Sequence, residues 1–109
     1  MLKERIKISN YSHFNDHYLS LTEWKSLIND LIDKYGLNSL LSFSIEGVKL
    51  YIVKDLLTFK KEEQSFIPDD PLMFLRDWRD TITAIEEWYK EDLYLISDDI
   101  DVNLIVSFG

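Results

Sequence analysis

The chain has no cysteine. That excludes disulfide scaffolds, thiolate zinc sites, iron–sulfur clusters and cysteine nucleophiles, and it fits a reducing compartment. Glycine is also scarce, with three in 109 residues. So few leave no phosphate-cradling loop and no dinucleotide-binding fingerprint. None of the serines sits in a Gly-x-Ser-x-Gly elbow. No apolar run approaches the roughly 18 residues of a membrane span. The opening residues 1–7 lack the apolar stretch of a secretory signal. The expectation is a cytoplasmic domain without catalytic signature or cofactor.

Basic charge is scarce in the second half. Residues 62–109 hold three basic groups (Arg76, Arg79, Lys90) against 13 acidic ones, a net of -10. Residues 1–61 hold nine basic and seven acidic groups, a net of +2, giving -8 overall. Phosphate backbones require Lys and Arg to displace counterions, so the acidic half argues against nucleic-acid binding. Anionic membrane surfaces are disfavoured in the same way. A basic protein is the natural complement of such a field, because opposed potentials raise the rate of encounter. The competing reading is that the charge serves only solubility.

The remaining composition, 46% apolar and 14% aromatic, is that of a globular protein. The length predicts one domain over residues 1–109. Ile6 and Ile8 alternate with charged residues, predicting a first strand over 4–9. Residues 10–19 read as a polar, aromatic-rich loop. Ser20 and Glu23 have the spacing of a capping box. Leu21, Trp24, Leu27, Ile28, Leu31, Ile32 and Tyr35 then recur at helical steps, with Gly36 placed to end the helix. Alternation over 39–46 and 48–53, around Glu46-Gly47, predicts an antiparallel hairpin. Residues 60–68 read as a surface loop. Asp70-Pro71 predicts the start of a second helix, running to about 91. Its apolar stripe is Leu75, Trp78, Ile82, Ile85 and Tyr89, with Phe74 and Trp88 at the edges. Leu93–Ser97 and Val102–Phe108 predict two last strands joined by a turn at 98–101. The order β-α-β-β-α-β-β predicts an α+β fold, an antiparallel-rich sheet with two helices on one face. Its first six elements have ferredoxin-like order.

Candidate chemistry is thin. His13 and His17 stand four apart with no third ligand, so hydrogen-bonded surface histidines are the better account. Asp99, Asp101 and Asn103 match the first ligand positions of a calcium loop, but Leu104 stands where its glycine belongs. A turn closed by Asp side chains fits better. The carboxylate doublets are adjacent on helices or turns, which does not set two carboxyls across a substrate. Glu91 and Asp92 crowd negative charge at the C-terminus of the second helix, where the dipole favours cations. Glu87 and Glu91 repel at i,i+4. Such unrewarded violations of local rules mark a place to look for function.

These features predict a non-catalytic module whose acidic face binds a basic partner. The contact residues expected are Asp77, Asp80, Glu87, Glu91, Asp92, Asp98, Asp99 and Asp101, with Trp88 as an aromatic anchor. In size, charge and lack of catalytic signatures, the chain resembles the small acidic immunity proteins of bacterial competition systems. That likeness implies a cognate toxin, such as a nuclease, as partner. A nucleic-acid-mimicking inhibitor of a host or defence enzyme is one alternative. A small-molecule-binding or enzymatic α+β domain is another, and it requires a pocket. A homo-oligomer is a third, with the last strand, Leu104–Phe108, as its exposed edge.

Overall fold

The computed structural model describes residues 2–11, 18–45, 48–54, 65–67, 73–90, 93–97 and 102–109. The described residues form eight strands and two long helices: β1 (Leu2–Lys7), β2 (Tyr18–Ser20), α1 (Leu21–Tyr35), β3 (Leu40–Phe43), β4 (Leu50–Val53), β5 (Ser65–Ile67), β6 (Met73–Phe74), α2 (Leu75–Tyr89), β7 (Tyr94–Ser97) and β8 (Asn103–Phe108). The fold is α+β and every strand pairing is antiparallel. There are two four-stranded sheets, ordered β1-β8-β3-β6 and β2-β7-β4-β5.

The first helix begins where its capping residues place it. Ser20 N–H donates to Glu23 Oε1 at 2.8 Å, and Glu23 N–H donates to Ser20 Oγ at 3.1 Å. It ends at Gly36, whose φ of 95° strains any residue with a Cβ. Trp24, Leu27, Ile28 and Leu31 are its buried face.

The second helix departs from expectation at its start. Residues 73–74 are not helical; they form β6 and pair with β3. The N-cap is Phe74, which has no side-chain capping bond. The first free amides find backbone carbonyls instead: Leu75 N–H donates to Ser39 O at 2.9 Å and Arg76 N–H to Leu37 O at 3.2 Å. A helix whose first donors are satisfied by a neighbouring segment needs no polar cap. Asp70 and Pro71 lie outside the described residues.

The strand partners also differ from those expected. Residues 39–46 and 48–53 do not form a hairpin, because β3 pairs with β8 and β6 in one sheet while β4 pairs with β7 and β5 in the other. The last two strands are likewise split, with β7 in the second sheet and β8 in the first. The chain thus builds two sheets where one was predicted. The segment read as a loop over 60–68 contributes β5, and β1 spans 2–7 before a 3-10 turn at Ile8–Asn10. The predicted exposed edge is corrected as well: β8 is paired on both sides, and β1 is the outer strand beside it.

Among the described residues, the main apolar core joins the helices to both sheets. Leu19, Trp24, Leu27, Ile28, Leu41, Leu50, Leu75, Trp78, Ile82, Leu95, Leu104 and Val106 all belong to it. Trp24 and Trp78 meet edge-to-face at 5.1 Å between α1 and α2, a favoured aromatic geometry. The second sheet is apolar on its other face too. There Tyr51, Val53 and Ile96 are buried beside Tyr18 and Tyr94. This second cluster explains the choice of partner for β4. Leu50 and Ile52 face the main core while Tyr51 and Val53 face the second cluster, so a half-wet hairpin would leave one of these pairs in water.

Candidate functional site

The periodicity of α2 sorts its side chains onto separate sides of the helix. Leu75, Trp78, Ile82 and Ile85 turn inward and are buried. Glu86 faces α1, where Lys25 Nζ lies 3.1 Å from its Oε1 and donates to Oε2 at 3.3 Å. Arg76 is engaged at the other end: Nη1 donates to Asn38 Oδ1 at 2.9 Å, and the guanidinium stands 5.0 Å from the centre of the Phe74 ring. Asp77, Asp80, Ala84, Glu87 and Trp88 point to solvent and are all exposed. At 100° per residue these five fall within an arc of about 100°. They follow one another at helical steps, so they form one continuous stripe.

Four of the nine residues expected to form the contact are therefore brought onto one side of one helix: Asp77, Asp80, Glu87 and Trp88. Glu91, Asp92, Asp98, Asp99 and Asp101 lie outside the described residues. Two of the carboxylates have a cation beside them in sequence. Asp77 Oδ1 is 4.0 Å from Arg76 Nε, and Asp80 Oδ1 is 3.7 Å from Arg79 Nε. These are long, solvent-exposed contacts of the kind that contribute little. Glu87 has no ion pair among the described residues. Trp88 is 81% exposed and Tyr89 45%. By contrast Trp24 is 2% exposed and Trp78 is not exposed at all. An indole left almost wholly in water is the unusual feature, since large aromatics ordinarily bury most of their surface.

The sequence reading did not find Ala84 or the diversion of Arg76. Ala84 is legible in retrospect, being small and four residues from both Asp80 and Trp88. The Arg76–Asn38 bond joins residues 38 apart and had no local signal.

Two surface cavities are of a size that holds small ligands. One, about 510 Å³, lies between the start of α1 and the end of α2 and is lined by Ser20, Thr22, Lys25, Glu86 and Lys90 among others. The other, about 460 Å³, lies between β1 and α1 and includes Glu4, Arg5, Tyr11, Asp30, Lys34 and Tyr35. In this second cavity the Tyr11 phenol is pushed above its usual value, by burial first and by the Asp30 carboxylate second. No cluster of three metal-ligating side chains occurs among the described residues, and His13 and His17 lie outside them. No helix among the described residues is long and apolar enough to cross a membrane. A scan against protein-family models and searches of curated proteins and of solved structures return no match to this chain.

Proposed function

We propose that the chain is a non-catalytic, acidic binding module that neutralises a basic protein partner. The most concrete form is an immunity or antitoxin protein acting in the cytoplasm, which covers the nucleic-acid-binding cleft of a bacterial nuclease toxin. The observation that carries this reading is the outer stripe of α2, where three carboxylates share a side with an indole that is 81% exposed. The net charge of -8 supports it, because long-range attraction steers a cationic partner towards an acidic surface.

The test is reconstitution with the protein encoded by the adjoining gene. A complex is expected whose affinity falls steeply with added salt and whose formation abolishes the partner's activity. Replacing Asp77, Asp80 and Glu87 together with Lys is expected to weaken that complex by orders of magnitude and to leave thermal stability nearly unchanged. A triple variant that inhibits as well as the parent would remove α2 from the contact. A second reading, small-molecule binding, draws on the cavity of about 460 Å³ beside Tyr11, and a thermal-shift screen of polar metabolites separates it from the first.

A further inference from the structure

We infer that the outer stripe of α2 docks by inserting the Trp88 indole into an apolar pocket whose rim carries Lys or Arg side chains. This rests on the acidic-module reading and adds the chemistry of the complementary surface. Three observations point the same way. The inner face of α2 is committed to the core through Leu75, Trp78, Ile82 and Ile85, and the side chains of its outward stripe are exposed. Trp88 is the most exposed large apolar side chain of the described residues, at 81%. Lys25 is held by Glu86 and Arg76 donates to Asn38, and the contacts of Arg76 with Asp77 and of Arg79 with Asp80 are long and solvent-exposed, so they offset little of the stripe's negative charge.

The spacing defines the partner further. Glu87 adjoins Trp88 in sequence, and Asp80 and Asp77 stand about 10 Å and about 15 Å back along the helix from Glu87 at 1.5 Å per residue. Ala84 lies between Asp80 and Trp88 and presents only a methyl group, so a partner can approach the helix backbone closely there. The complementary surface is therefore a cationic groove with an apolar hole at one end and positive groups lining the next two to three helical turns. A surface with cations alone would match the carboxylates and leave the indole wet. Aromatic anchors seated in pockets and surrounded by polar contacts are the arrangement that gives interfaces most of their affinity.

Intrinsic fluorescence can follow this directly, because the chain has three tryptophans and Trp24 and Trp78 are buried. The full chain is titrated at low salt with two synthetic peptides of equal charge, one an oligolysine and the other an amphipathic Lys/Leu helix. The amphipathic peptide is expected to bind about tenfold more tightly and to shift the indole emission to the blue. Trp88→Ala is expected to abolish both that advantage and the shift while leaving oligolysine binding unchanged. Equal affinity for the two peptides, or an unmoved emission, overturns the anchor and leaves the acidic surface standing. Failure of both peptides to bind overturns the acidic docking surface itself. A Trp88→Phe variant that retains the tenfold preference supports insertion of a ring, and its unchanged circular dichroism shows that the fold is intact.

Discussion

At the scale of single residues, two positions depart from ordinary behaviour. Lys90 ends α2 with φ 51° and ψ 27°, a left-handed conformation that Gly usually supplies. Nothing about a lysine marks such a position in advance. Tyr11 is the other. Its phenol is raised above the ordinary 10.0 by burial and by Asp30, while Lys34 pulls in the opposite direction. A raised value in the folded state means that stability is fully present below pH 10 and is lost as pH climbs through the folded value, because the partly buried phenol must then ionise. Lys34 is itself raised, chiefly by Tyr35, and adds to the same alkaline loss. Tyr11→Phe is expected to flatten the decline in urea midpoint above pH 10 and to leave the unfolding free energy at pH 7 within about 0.5 kcal/mol of the parent. Unaltered alkaline slopes in parent and variant would show that other groups govern the decline.

At the scale of elements, the two helices differ in how they begin, and this decides how well each could be read. The start of α1 rests on residues three apart, so Ser20 and Glu23 declared it. Ser20→Ala is expected to cost about 1 kcal/mol, measured as a lower denaturant midpoint at constant m value. The start of α2 rests on the carbonyls of Leu37 and Ser39, remote in sequence, and no local pattern announced it. The Asp-Pro signal at 70–71 accordingly misplaced the boundary. Periodicity fared better on the faces, because burial follows the helical repeat whatever ends the helix. Periodicity puts Trp24 and Trp78 on apolar faces, and both are buried. Of the candidate site, the stripe from Asp77 to Trp88 was legible as residue types at helical spacing. The exposure of Trp88 was not, because a border position on a helical wheel turns to solvent or core according to what packs beside it.

At the scale of the whole molecule, alternation identified strands and failed to identify their partners. Nothing in residues 39–53 distinguishes a hairpin from two strands that part into separate sheets; the choice depends on Tyr51 and Val53 meeting Ile96, more than 40 residues away in sequence. Sheet order also moves the exposed edge from β8 to β1. That edge is charged: Lys3, Glu4, Arg5 and Lys7 are all exposed, a common safeguard of edge strands. Two identical antiparallel strands related by a two-fold axis must set residues of the same parity opposite each other. Centring on Glu4 opposes Glu4 to its copy and Lys3 to Arg5. Centring on Arg5 opposes Arg5 to its copy and Lys3 to Lys7. Both registers place like charges face to face, which is destabilising. Replacing Lys3, Arg5 and Lys7 with Thr is expected to induce concentration-dependent self-association, followed by sedimentation velocity. A triple variant that sediments as the parent does at every concentration would show that charge is not what guards this edge.

The pairing of β1 with β8, from Leu2 against Phe108 to Lys7 against Asn103, has a kinetic meaning. Its hydrogen bonds close a loop of about a hundred residues before any of their enthalpy is recovered, and such closures slow the search for the native state. Loop closure therefore favours docking of the first strand after β3 and β8 have paired. Its place at the sheet edge leaves Ile6 as its one partly buried side chain, the rest of the strand being exposed.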